Sequence, residues 1–210
     1  INQGVTMNMN KIKFSALATA VLLTFNVGAM AQTVSKSDYV ARKDSIKAQY
    51  KAAKEKCDAL SGNAEDICKV EAKGQKNVAT AELEASYEPN NKTRYEALKA
   101  KAEADYDLAK EKCDDLSGNS KDVCVKEAKA AYVNAESNAK LHKDNAGHGK
   151  ASTDSQHDNV KVREKGDEVK KDVTENKANA AYAVEKEKCE AFSGSAKESC
   201  INTAKRQFGM

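Results

Sequence analysis

Six cysteines and three histidines are the residues of this chain most able to do chemistry, and their spacing narrows what that chemistry is. The cysteines fall in three pairs, Cys57/Cys68, Cys113/Cys124 and Cys189/Cys200, each eleven positions apart and each around a central Ser-Gly. A thiol pair of this kind can close a disulfide, share a zinc ion or cycle redox-actively. Zinc is disfavoured because the pairs lack the short Cys-x2–4-Cys knuckle. Redox catalysis is disfavoured because there is no Cys-x-x-Cys to stabilise a thiolate at a helix N-terminus. Cross-linking between chains remains a further alternative. The expected chemistry is three local disulfides, 57–68, 113–124 and 189–200.

The cysteines belong to one cassette written three times, beginning at Tyr50, Tyr106 and Tyr182. Each copy opens with a run of Lys, Glu and Ala, strong helix formers. Apolar positions recur at spacings of three and four: Ile46, Tyr50, Ala53, Cys57 and Leu60; then Ala102, Tyr106, Ala109, Cys113 and Leu116; then Tyr182, Cys189 and Phe192, with Glu185 interrupting. This is a helical stripe. Ser61-Gly62, Ser117-Gly118 and Ser193-Gly194 follow, with glycine read as the stop of the first helix. Asn63, Asn119 and Ser195 are then read as N-caps of a second helix, and Ser195 with Glu198 as a capping box.

A hairpin explains the cysteine spacing. In one straight helix eleven residues span about 16.5 Å, whereas a disulfide needs Cα atoms roughly 4.4–6.8 Å apart. Folding back at Ser-Gly brings each pair together. A loop of this size stabilises by about 3 kcal/mol in the chain-entropy model.

The expected fold is therefore all-α: three antiparallel helical hairpins, about six helices, each hairpin stapled by one disulfide, in an elongated coiled-coil-like bundle. Helices are expected over about 37–60, 64–87, 92–116, 120–141, 160–192 and 196–207. Pro89, the single proline, marks a boundary between hairpins. The organisation reads as hairpin repeat 1 over 32–88, repeat 2 over 89–142, a flexible His-containing linker over 143–159 and repeat 3 over 160–210. Whether the third hairpin docks on the others is not fixed by pattern.

The N-terminal region reads as an export leader over 7–31. Lys11 and Lys13 precede an apolar run from Phe14 to Phe25, and Ala29-Met30-Ala31 places cleavage between Ala31 and Gln32. Residues 1–6 are read as lying upstream of a start at Met7 or Met9. The run is too short for a comfortable membrane span, so no stable membrane insertion is expected after leader removal. Leader and paired cysteines together point to an oxidising compartment, with a bacterial periplasm expected.

Composition excludes more than it names. Lys and Arg total 35 against 32 Asp and Glu, a formal charge of +3; the leader carries two of the lysines and no acid, so the remainder stands near +1. No basic footprint for nucleic acid results. Beyond residue 31, Leu, Ile, Val and Phe make up only about 13%, while roughly half the residues are Ala, Glu, Lys, Leu or Arg, the signature of long helices. The core should be thin and Ala-rich, with disulfides supplying what burial does not.

His142, His148 and His157, with neighbouring aspartates, are the candidate metal ligands, though their spacing matches no ligand motif. No Ser/His/Asp arrangement can be placed, no catalytic residue is identified and no cofactor is expected. Tyr50, Tyr106 and Tyr182, each seven residues before a cysteine, are read as covering the hairpin seam.

The leader ending Ala-x-Ala-Gln, followed by repeated Lys-Glu-Lys-Cys-[Asp/Glu]-x-[Leu/Phe]-Ser-Gly cassettes, resembles a group of small exported β-proteobacterial Cys-repeat helical proteins. These are often labelled TolA-like or cell-envelope-biogenesis proteins. The resemblance implies an envelope setting and carries over no functional residue. The expected function is non-enzymatic: a secreted periplasmic helical protein with a structural, binding or envelope-maintenance role, an envelope protein being the partner to look for. Two alternatives are a hydrophilic envelope stress protectant and weak divalent-metal buffering through the histidine linker.

Overall fold

The computed structural model describes residues 34–148 and 156–210, with side chains outside 144–163. Among the described residues there are six α-helices: α1 Lys36–Cys57, α2 Asn63–Tyr87, α3 Asn91–Lys112, α4 Gly118–His148, α5 Gln156–Lys188 and α6 Gly194–Phe208. Short 3-10 turns, Cys113–Asp115 and Cys189–Ala191, follow α3 and α5. No strand occurs among the described residues, and the all-α hairpin fold is as the periodicity predicts.

Each helix packs chiefly on the helices before and after it, so α1 to α6 run back and forth as a serpentine. The third hairpin docks: α5 lies along α4, and α2 lies along α3. Lys177 Nζ on α5 donates to Asn138 Oδ1 on α4 at 2.7 Å. Val173 and Val184 on α5 and Ala128 and Ala139 on α4 are buried.

The core is as thin as composition implies. Its buried apolar residues are five alanines (72, 102, 128, 139 and 204), Leu83, Val173, Val184, and Cys57, Cys113 and Cys189. Small side chains let helices approach closely. At the α2–α3 seam Gly74 is buried, and a Cβ placed there would stand 2.9 Å from the Cβ of Ala104.

The start of α3 is capped by a device that its sequence carries at Asn90-x-x-Thr93. Asn90 Oδ1 accepts from the backbone N–H of Lys92 and Thr93, while Thr93 Oγ1 accepts from the N–H of Asn90. This reciprocal capping box follows Pro89 directly and sets the reversal from α2 into α3. At α1, Ser35 Oγ accepts from the N–H of Asp38 at 3.1 Å.

Three expectations about the bends are corrected. The first helix of each hairpin does not reach Leu60, Leu116 or Phe192; it ends at Cys57, Lys112 and Lys188. The cause is the eleven-residue span: Cys68 is the sixth residue of α2, so only Asp58–Gly62 remain for the reversal. The chain tightens at once, and the N–H of Leu60, Leu116 and Phe192 donates to the carbonyl of Cys57, Cys113 and Cys189.

Glycine, secondly, opens the second helix rather than closing the first. Gly62, Gly118 and Gly194 have φ of 60°, 56° and 56°, and Gly62 has ψ −148°, a region essentially restricted to glycine. Asn63, Asn119 and Ser195 therefore lie inside the second helices rather than at their N-caps. Gly62 and Ser193 take the N-cap places of α2 and α6 with no side-chain cap bond, so the capping box expected at Ser195 and Glu198 does not form.

Helical backbone, thirdly, enters the 143–159 segment expected as a flexible linker. Helix α4 continues to His148 and α5 begins at Gln156.

Candidate functional site

The cassette builds the same object three times. The disulfides are Cys57–Cys68, Cys113–Cys124 and Cys189–Cys200, with Cα separations of 5.4, 5.7 and 5.7 Å. No cysteine is free. Cys57, Cys113 and Cys189 are fully buried between the two helices they join, so these sulfurs are structural rather than presented for chemistry. Disulfides of this kind belong to an oxidising environment.

All three bends face the same end. Asn63 Nδ2 at the first bend donates to Asp115 Oδ1 at the second, at 2.6 Å. Beside the second and third bends, Lys126 pairs with Glu187 at 3.9 Å and Lys188 with Glu127 at 3.5 Å. This follows from the serpentine, in which every second reversal returns to one side.

At that end the residue three after each first cysteine is exposed: Leu60 is 46%, Leu116 44% and Phe192 53% accessible. Sequence periodicity had placed all three on the buried stripe. The early end of the preceding helix rotates them away from the seam and onto the tip.

Charged groups surround them. Asp114 pairs with Lys121 at 2.9 Å, Asp58 pairs with Lys69 at 3.4 Å and Glu190 pairs with Lys197. Each pair ties the residue after the first cysteine to the second helix. Lys69 also pairs with Glu65, and that hydrogen bond chiefly holds the Lys69 pKa above its ordinary value. By contrast Asp66, Asp122 and Glu198, nine residues after the first cysteine in each copy, are exposed and make no ion pair among the described residues.

An open groove of about 550 Å³ lies between the second and third bends, lined in part by Asn119, Asp122, Glu187 and Glu190 together with Lys126 and Lys186. The Oδ1 atom of Asn119 is buried there without a hydrogen-bond partner. A second open groove, about 360 Å³, runs along the α2–α3 seam past Val78 and Leu108.

The repeated tyrosines line the seams. Lys76 on α2 stands 5.1 Å from the Tyr50 ring centroid. Tyr106 packs on Tyr132 at 5.5 Å and Tyr182 on Phe208 at 6.5 Å. Toward the opposite end Tyr39 packs on Tyr87 at 4.5 Å and donates its hydroxyl proton to Glu84. Burial pushes the Tyr95 and Tyr132 hydroxyls up, with the Glu136 carboxylate adding to both.

The candidate metal ligands are not brought together by what is described. His142 is an exposed residue of α4. His148 and His157 lie in α4 and α5, and their side chains fall outside the described residues. Among the described residues no group of three or more His, Cys, Asp or Glu side chains is arranged to hold a metal ion. The cleavage pair Ala31–Gln32 and the leader over 7–31 also lie outside the described residues. No helix among the described residues is long and apolar enough to cross a membrane. No protein-family model, curated protein or solved structure matches this chain.

Proposed function

We propose that this chain is an exported, non-enzymatic helical protein of the bacterial periplasm that serves the cell envelope by binding through its exposed surfaces. The observation that carries the reading is the threefold repetition of a disulfide-stapled tip with its apolar residue turned to solvent. Single exposed apolar residues are ordinary on a protein surface; the support lies in their recurrence at the same cassette position on one end of the frame. The leader pattern and the full pairing of the cysteines support export to an oxidising compartment.

Two measurements test it. Intact mass and non-reducing peptide mapping of tagged protein from a periplasmic extract should give a chain beginning at Gln32 with three local disulfides. Recovery in the cytosol with free thiols would overturn the compartment. Photo-crosslinking from exposed positions should give discrete adducts with envelope proteins. Absence of adducts, or turnover by the purified protein alone, would overturn the role.

A further inference from the structure

We infer that the three stapled tips form one composite docking surface for a cationic amphipathic polypeptide, one whose apolar side chains alternate with Lys or Arg. The inference rests on the binding role proposed above and assigns its surface and the chemistry of its partner.

The apolar half of the surface is Leu60, Leu116 and Phe192, held at the same cassette position and carried to the same end by the Asn63–Asp115 hydrogen bond and the Lys188–Glu127 pair. The disulfides keep each tip in shape without a partner, which lowers the ordering cost of binding.

The polar half supplies the sign. From each first cysteine to the carboxylate nine residues on, the three tips hold eight carboxylates against two lysines, a net charge of −6 in a chain whose total is +3. Both lysines, Lys121 and Lys197, are already paired with Asp114 and Glu190, and Lys69, just beyond the first tip, is paired with Asp58 and Glu65. Asp66, Asp122 and Glu198, six positions after the apolar residue of each tip, are left exposed. The groove between the second and third tips is lined by three carboxylates, Asp122, Glu187 and Glu190, against Lys126 and Lys186, and Lys126 is already paired with Glu187. Acceptors and carboxylates in excess of donors fit an ammonium or guanidinium group, and disfavour an anionic lipid surface. Three equivalent tips on one frame also favour a partner that presents its cationic and apolar groups repeatedly, since linked contacts add through effective concentration.

Asp66, Asp122 and Glu198 have a competing structural role, because they sit at the fourth or fifth residue of α2, α4 and α6, near the positive end of the helix dipole. Binding separates the two roles. The full disulfide-bonded chain is titrated with a 14-residue Leu/Lys amphipathic peptide, its Leu/Glu counterpart, and phosphatidylcholine vesicles without peptide. Expected is saturable binding of the Leu/Lys peptide alone, weakening as salt is raised. Replacing all three tip residues (L60S, L116S and F192S) should weaken it at least tenfold. Substituting D66N, D122N and E198Q should remove most of the salt dependence. The control V40S with L98S, exposed apolar residues toward the opposite end, should stay within twofold of wild type.

Equal binding of the Leu/Glu peptide, a loss in the control as large as in the tip variant, or tip variants within twofold of wild type would overturn the inference. Vesicle binding that depends on the tips without peptide binding would overturn it in favour of a membrane, and tip-dependent dimers in sedimentation in favour of a second copy. The single variant L116S serves where the triple variant does not fold. Discrete envelope crosslinks that survive the tip substitutions would overturn the tip surface and leave the binding role standing.

Discussion

Alanine in place of Gly74 offers a test in which sequence and structure predict opposite signs. Gly74 is interior to α2, where glycine is about 1 kcal/mol less favourable than alanine. By local propensity the substitution should stabilise. In the structure the new Cβ would lie 2.9 Å from Ala104 Cβ and 3.4 Å from Ala104 Cα on α3. Carbon atoms prefer about 3.5–4.0 Å, so α2 and α3 must separate by roughly 0.6 Å or more. Neither contacting atom is the end of a flexible side chain that could swing aside. Overpacking of this kind costs about 1–3 kcal/mol. Set against the propensity gain, G74A should be destabilising by about 1 kcal/mol. For a chain of this length the melting temperature should fall by about 2–4 °C. The second arm of the cycle is A104G, which removes the opposing Cβ. In that background only the 3.4 Å approach to the Cα of residue 104 remains, so G74A should become stabilising by up to about 1 kcal/mol, and the sign reversal measures coupling across the seam. Thermal melts followed by far-UV circular dichroism on the four proteins suffice. A rise in melting temperature for G74A in the wild-type background would refute the close approach of α2 to α3, and with it the docking of the first hairpin on the second.

Removing one staple as C57A with C68A should cost about 3 kcal/mol, read as a fall of roughly 6–12 °C in melting temperature. Reducing all three should remove an amount comparable with the whole net stability of about 5–15 kcal/mol usual for a domain, and helicity near 222 nm should collapse; retained helicity would show that packing alone suffices. N90A should cost about 1 kcal/mol by loss of the α3 cap, with no change in disulfide pairing by peptide mapping. Burial holds the Tyr95 and Tyr132 hydroxyls above the ordinary tyrosine value of 10.0, so the fold favours their neutral form. Their contribution should be intact below about pH 10 and be lost as pH rises from there through the folded pKa. A late-ionising fraction of the 295 nm absorbance should accompany the falling melting temperature, and Y132F should diminish both; simultaneous titration of all seven tyrosines would contradict the burial.

The hairpin count, the three staples and the Ala-rich core are legible because each follows from local terms. Helix propensity, a repeated glycine and the fixed reach of a disulfide act over about a dozen residues, within sight of a pattern. The places where pattern reading fails are also local, but involve competition. Leu60, Leu116 and Phe192 continue a stripe with period three and four, yet the staple forces the turn to start at the cysteine, and the stripe ends three residues early. The residues later found at the candidate surface were thus assigned to the core. A signal was present: an eleven-residue separation cannot contain a full first-helix turn, a reversal and the opening turn and a half of a second helix. Asn63 likewise has the chemistry of an N-cap, but its amide is directed across to Asp115, which only a neighbouring hairpin makes available.

By itself, then, the sequence determined the helical class, the number of hairpins, the pairing of the cysteines and the poverty of the core, all consequences of composition and short-range geometry. Tertiary structure alone decided that the hairpins stack as a serpentine, that Gly74 lets α2 meet Ala104 on α3, and that the third hairpin lies on the second. It also decided that three tips converge on one end with their apolar residues outward. These depend on contacts between residues about thirty to sixty positions apart, where the free energy lies in surface complementarity between helices rather than in the preferences of any one segment.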